Sequence, residues 1–221
     1  MADLPDAPGE RDRLRALASY KIMDSASEQA YDDLTHLAAM ICDAPISLVS
    51  LVDERRQWFK SRLGLEAQET PRDLAFCAHA ILQDDPLIIE DAMLDPRFAS
   101  NPLVTSEPKI RFYAGAPLRM PSGHSLGTLC VIDRRPRNLT EAQRAALLAL
   151  SQMVVSQLEL RRALLDLESL QHVLPLCAWC RSVRRTDGSW VSLQDFVQES
   201  MPTTHGICPD CKRNLMARGG G

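Results

Sequence analysis

The stretch Ala44–Ser61, APISLVSLVDERRQWFKS, stops one element and starts two others. Ala44-Pro45 breaks a preceding helix, because proline lacks a backbone N–H and restricts the residue before it. Ile46–Val52 then alternates and runs apolar as a strand, Asp53-Glu54 turns the chain, and Gln57–Ser61 follows as a second strand. A hairpin entered from a helix is the first fixed point of the fold. Upstream, apolar residues recur at helical spacing over Arg11–Met23 and over Glu28–Ile41, where Leu34, Leu37, Ala38 and Ile41 form one stripe.

Downstream, the polar stretch Glu66–Asp73 reads as a connection and Ala75–Leu82 as a short helix ended by Asp84-Asp85-Pro86. Leu87–Glu90 is a short strand. Asp91–Pro108 holds three prolines and reads as a long loop with at most one turn of helix. Ile110–Met120 and Gly127–Asp133 supply two further strands on either side of Pro121-Ser122-Gly123. Two helices and five strands predict an α+β fold.

Thr140 and Glu141 open a long helix, since Glu141–Val173 contains neither proline nor glycine and is rich in good helix formers. Leu139, Gln143, Ala146, Leu150, Met153, Gln157, Leu160, Leu164, Leu167, Gln171 and Leu174 recur at alternating spacings of four and three, the repeat that lets two helices supercoil. A helix lying on its own domain accounts for the first half equally well; beyond Arg161 pairing is the better reading, which predicts a parallel homodimer.

A chain of 221 residues exceeds the usual single domain, and a net charge of −4 gives no global attraction to nucleic acid or anionic lipid. Met1–Glu10 has no apolar run that could serve as a signal-peptide core, and no stretch of about 18 apolar residues suggests a membrane span. The expected location is cytoplasmic. In that reducing compartment the seven cysteines are expected to be free, metal-bound or redox-active rather than structural disulfides.

Several words of the sequence together resemble the bacterial GAF sensor domains of histidine kinases and diguanylate cyclases. They are Tyr20-Lys21-Ile22-Met23-Asp24, Pro45–Asp53, Arg56-Gln57-Trp58-Phe59-Lys60-Ser61, Phe76-Cys77-Ala78-His79-Ala80-Ile81, Arg111–Leu118 and Gly127–Asp133. The resemblance covers about residues 11–160. It implies a central antiparallel sheet with helices packed on one face, a ligand cavity, when present, on the other, and long terminal helices that pair in a dimer. It does not fix a ligand, because one scaffold hosts many. The Asn-Lys-Phe-Asp-Glu constellation of cyclic-nucleotide GAF domains is missing, and Cys77-Ala78-His79 departs from the bilin-attachment motif. Cys42, Cys77 and Cys130 invite comparison with GAF-type reductases of free methionine sulfoxide, although their flanking residues differ.

Trp58, Phe59, Phe76 and Tyr113 fall where a GAF cavity would be rimmed, with His79, Asp91 and Arg111 as polar handles; Cys77 is counted with the pocket, although a place in the core is its preferred reading. Such a pocket would suit a small anionic or planar ligand; core packing explains the same aromatics. Positions i and i+2 of a helix diverge, so Cys77 and His79 do not face each other. The guanidinium of Arg111 can fork onto a ligand carboxylate or onto Asp91 or Asp133, the internal pair being the preferred use. No Ser-His-Asp order, glycine-rich phosphate loop or kinase or cyclase signature occurs, so the chain is expected not to be an enzyme, with reduction of small sulfoxides by a pocket thiol as the alternative.

Near the end stand two Cys-x-x-Cys pairs, Cys177/Cys180 and Cys208/Cys211, with 27 residues between them. Four thiolates so spaced can close a tetrahedral Zn2+ site that substitutes for a hydrophobic core. His205 either supports the four sulfurs from outside the metal sphere, the preferred reading, or replaces one of them as a ligand. Redox cycling of the two pairs is the competing use. Trp179 with nearby arginines offers a nucleic-acid surface, but the metallated segment is about neutral, so nucleic acid is an unexpected partner.

The organisation expected is a disordered N-terminus (1–10), a GAF sensor domain (11–140), a coupling and dimerisation helix (141–173), a zinc-ribbon-like module built on the four cysteines (174–215) and a flexible tail (216–221). The function expected is a dimeric sensor. It binds a small ligand or senses redox state, and relays this through the helix to a zinc-binding module that contacts an unidentified signalling protein.

Overall fold

The computed structural model describes residues 9–171, 175–185, 187–200, 206, 208–210 and 213, in two units divided after Asp166. The first unit opens with α1 (Glu10–Ser19) and α2 (Gln29–Cys42). Strands β1 (Ile46–Val52), β2 (Arg56–Leu63), β3 (Glu69–Pro71), β4 (Leu87–Ile89), β5 (Phe112–Arg119) and β6 (Ser125–Asp133) form one antiparallel sheet in the order β3-β2-β1-β6-β5-β4. Two short helices, α3 (Phe76–Ala80) and α4 (Pro102–Thr105), interrupt it, and α5 (Glu141–Gln171) follows.

Several expected bounds move by one to three residues, and three differences go further. The first helix stops at Ser19 rather than Met23, because the chain enters the left-handed region at Lys21 (φ 47°) and Asp24 (φ 58°), which ends an α-helix. Glu10, expected in a disordered segment, is the first helical residue and is clamped by Arg13 and Arg72. A sixth strand, β3, lies in the stretch read as a connection; it pairs at Arg56–Trp58 along the sheet edge, where Pro71 needs no ladder hydrogen bond.

Period-two alternation divides the core. Val49 and Leu51, Phe112, Ala114, Ala116 and Leu118, and Leu129 and Val131 face α1, α2 and α5, whose Leu17, Tyr31, Leu34, Leu147, Val154 and Leu158 seal that side together with Tyr20 just after α1. Leu48 and Val52, Tyr113, and Cys130 and Ile132 face the other way, under α3 and the long loop. On α2 the predicted stripe is only half right. Leu34 and Ala38 are buried, but Leu37 and Ile41 are exposed and the inward face is completed by Tyr31, Thr35 and Cys42.

Thr140 caps α5: its Oγ1 accepts from the Gln143 N–H, and Gln143 Oε1 accepts from the Thr140 N–H, a reciprocal box that satisfies two otherwise orphaned donors. The helix carries two apolar faces. Leu147, Leu150, Ser151, Val154, Val155 and Leu158 are buried on the domain, at alternating spacings of three and one. Of the predicted pairing seam, Leu150 is buried on the domain, Met153, Leu160, Leu164 and Leu167 are about half exposed, and Leu174 lies outside the described residues. Among the described residues no helix is long and apolar enough to cross a membrane.

The second unit contains a hairpin of β7 (Val183–Arg184) and β8 (Trp190–Val191), then α6 (Leu193–Ser200), capped where Ser192 Oγ accepts from the Asp195 N–H. The chain ends expected to be disordered or flexible, residues 1–8 and 216–221, lie outside the described residues, as does the last part of the expected coupling helix, 172–173.

Candidate functional site

A cavity of about 480 Å3 opens on the sheet face opposite α1, α2 and α5. Its walls come from β1 (Ile46, Leu48), β2 (Gln57, Phe59), α3 (Phe76, Cys77), α4 (Leu103) and β5 (Tyr113), with the loop residues Leu65, Pro108 and Ile110 closing it. That volume lies within the range of small-molecule sites. Glu66, Glu107 and Arg134, all exposed, are the charged residues of the lining. Gly64 turns the chain at φ +73°, where a Cβ would strike the Pro45 carbonyl, so the loop can pass close to the end of β1 only as glycine.

Beneath the cavity lies a buried cluster of sulfur and hydroxyl groups. Thr128 Oγ1 donates to Cys77 Sγ at 3.0 Å and the Tyr113 phenol donates to the same sulfur at 3.2 Å. Ser50 Oγ stands 3.1 Å from Thr128 Oγ1, and Cys130 Sγ 3.9 Å from Cys77 Sγ. All five side chains are at most 1 % exposed. Gly115 makes this possible: a Cβ there would strike the Tyr113 hydroxyl, so its absence lets the phenol lie back along its own strand toward α3. Burial on its own pushes the Cys77 thiol up, but hydrogen bonds from Cys130, Ser50, Thr128 and Tyr113 outweigh it and lower the thiol. Cys130 moves the other way, through its bond to Cys77 and its burial.

Of the side chains anticipated for a pocket, Phe59, Phe76, Cys77 and Tyr113 line the cavity and four do not. Trp58 belongs to the helix-side core, because alternation along β2 sends it opposite to Phe59. His79 packs edge-on against Phe98 at 4.9 Å, on the flank of α3 away from Cys77, and burial with the Arg97 charge holds it below the usual imidazole range. Arg111 forks onto Asp91 at 2.7 and 2.6 Å, so the two charges neutralise each other at the sheet edge. The arrangement therefore departs from a pocket with ionic handles. Gln57, Leu65 and Leu103 were not anticipated; a polar residue in a strand reads as solvent-facing, and loop residues carry no period.

In the second unit, Cys177 and Cys180 stand on one tight turn, closed by the Arg181 N–H donating to the Cys177 carbonyl and by the left-handed Arg181. Cys180 Sγ lies 3.3 Å from Ser182 Oγ. Cys208 is exposed, while Cys211 and His205 lie outside the described residues. Among the described residues no group of three or more metal-ligating side chains converges. The turn presents two sulfurs that fit one half of a tetrahedral thiolate set.

A cyclic di-GMP phosphodiesterase of Pseudomonas aeruginosa is 39 % identical to the chain over 164 residues, 74 % of this chain and 28 % of that protein. The chain thus spans less than a third of that relative. The relative is named as an enzyme, which overturns the expectation, drawn from missing catalytic signatures, that the chain is not one. Among solved structures, the GAF domain of an Acinetobacter phosphoenolpyruvate-protein phosphotransferase superposes with a TM-score of 0.51 at 18 % identity, covering 72 % of this chain and 99 % of that one. A free methionine-R-sulfoxide reductase from Neisseria meningitidis gives 0.51 at 15 % identity, covering 70 % and 91 %. These two likenesses speak for the fold alone. The family model described as GAF domain matches residues 27–161, the segment that carries the six-stranded sheet, its helix-covered face and the cavity, and the chain accordingly belongs to the GAF domain family.

Proposed function

We propose that the chain is the sensory part of a signalling protein, in which a small molecule held in the cavity alters the packing of α5. The observation that carries this reading is the ligand-sized cavity on one face of a sheet whose other face is the seat of α5. The same strands carry both, so a change under α3 reaches the helix through β1, β5 and β6. Similarity to a cyclic di-GMP phosphodiesterase makes turnover of that dinucleotide the output we assign to the pathway.

In this reading α5 also pairs with its copy in a homodimer. Support comes from the half-exposed Met153, Leu160, Leu164 and Leu167, whose three-four spacing suits a coiled-coil seam. The terminal cysteines would hold Zn2+ through Cys177, Cys180, Cys208 and Cys211, with His205 behind them. The metal would act structurally, by tying two turns together. Support is the paired-sulfur turn, together with Val183 being the one buried apolar side chain among the described residues of that unit.

Mass spectrometry of small molecules retained by the purified chain tests the sensor. Cross-linking of Leu164→Cys tests the relay: protein carrying its ligand and protein stripped of it are expected to form the α5–α5 disulfide at rates differing several-fold. Equal rates would discard the relay, and a monomer in both states would discard the dimer. Elemental analysis is expected to find one zinc per chain, lost on Cys177→Ser.

A further inference from the structure

The cavity has an uncharged polar corner. Gln57 and Thr70 are paired residues of β2 and β3, so their side chains emerge on one face, and both line the cavity. Gln57 is 5 % exposed as a residue, and no hydrogen bond of its carboxamide or of the Thr70 hydroxyl to another group occurs among the described residues. The carboxamide is not sealed off, unlike the unpartnered Tyr31 and Ser47 hydroxyls and Arg161 Nε, so the cavity reaches it and it offers a donor and an acceptor, side by side, to a molecule held there. The remaining inner wall is aliphatic and aromatic.

Charge complements this. Glu66 and Glu107 against Arg134 leave the lining one negative charge in excess, and Arg134 already donates to the Pro108 carbonyl. An anion would enter an apolar enclosure against that excess, which is costly. A purely apolar molecule would leave the Gln57 carboxamide unpaired. A molecule with an amide edge avoids both penalties, because one amide pairs with another through two parallel hydrogen bonds.

We propose that the cavity takes an uncharged molecule with a ring-like apolar body and a primary-amide, lactam or imide edge, received by Gln57 with Thr70 beside it. This rests on the cavity being the sensory site. The body lies against Phe59, Phe76 and Leu48, and the edge faces the β2-β3 corner.

Three probes of one shape separate the contributions: naphthalene-2-carboxamide, naphthalene-2-carboxylate and 2-methylnaphthalene, each titrated into the whole chain and followed by naphthalene fluorescence. The carboxamide is expected to bind about tenfold more tightly than either of the others, the usual strength of a hydrogen-bond pair to a buried partner. Gln57→Leu is expected to erase the gap between carboxamide and methylnaphthalene while leaving methylnaphthalene binding intact. Thr70→Val, a milder change on the edge strand, is expected to weaken the carboxamide about threefold and serves where Gln57→Leu does not fold. Carboxylate binding as tight as carboxamide binding, or a carboxamide preference that survives both substitutions, overturns the ligand class and leaves a sensory cavity standing. Failure of all three probes to bind overturns the class and the sensory reading together.

Discussion

The two faces of one sheet are covered by different means. On one, helices of 10, 14 and 31 residues do the covering, chiefly through the inward face of α2 and the Leu147–Leu158 stretch of α5, and Phe112, Leu118 and Leu129 are completely buried. On the other, helices of five and four residues and their loops do the covering, and a space of about 480 Å3 remains. A long helix brings several side chains in fixed order and fills a face efficiently. Short elements bring few, and their backbone must also be satisfied, so space and polar groups collect beneath them. The ligand-sized site therefore lies where the cover is made of short pieces.

The largest expected effect tests that contrast directly. Leu118→Ala, on the helix face, should lower unfolding free energy by about 4–5 kcal/mol, whereas Leu48→Ala, bordering the cavity, should cost about 2–3 kcal/mol because fewer neighbours are lost. Denaturant unfolding of both variants gives the comparison; equal losses would mean the two faces are equally filled.

Acid sharpens it next. Burial alone would raise the Glu10 carboxyl, but Arg13 and Arg72 outweigh this and hold it at about 2, below its ordinary 4.5. Arg13 also donates to the Val52 carbonyl and Arg72 to that of Asp53, so the cluster fastens α1 to the end of β1. The depressed value means this contribution is complete above pH 4.5 and is lost as pH falls toward 2. Its size is about 2 kcal/mol after allowance for partial exposure. Glu10→Gln should remove that part of the acid dependence, measured as unfolding free energy against pH; an unchanged slope would show that the clamp does not act.

The smallest effect concerns the polar layer under α3. Cys77→Ala leaves the Tyr113 and Thr128 hydroxyls without their acceptor and should cost about 2 kcal/mol, while Cys77→Ser restores an oxygen and should cost about 1 kcal/mol less. Identical melting of the two variants would mean that those hydroxyls find other partners.

The sequence allowed the sheet to be read where strands are long and alternate, as from Pro45 onward, and missed β3, whose Glu69-Thr70-Pro71 has neither length nor pattern. The long helix was legible from composition and its cap from Thr140. Which of its stripes lies on the domain was not, because Leu147, Val154 and Leu158 and the predicted seam are both apolar and differ only by a rotation. At the cavity, aromatic residues pointed to Phe59, Phe76 and Tyr113, but charges were a poor guide. Asp91 and Arg111 satisfy each other, a pairing that depends on β4 lying beside β5. Gln57 gave no signal, since only the three-dimensional cover over β2 turns an ordinary strand glutamine into a buried one.

Glu28 gives α5 a latch. One oxygen of its carboxylate accepts from both Lys60 Nζ, whose side chain has no exposure, and Arg161 Nη1. The helix cannot swivel in place without uncoupling Arg161, while Lys60 keeps Ser25, the Ala26 carbonyl and Glu28. Turning the helix at this point would also part Arg161 from the Lys21 carbonyl and, two residues earlier, Glu159 from the Tyr20 hydroxyl, so α5 is pinned at one rotational setting by several polar contacts on its own surface.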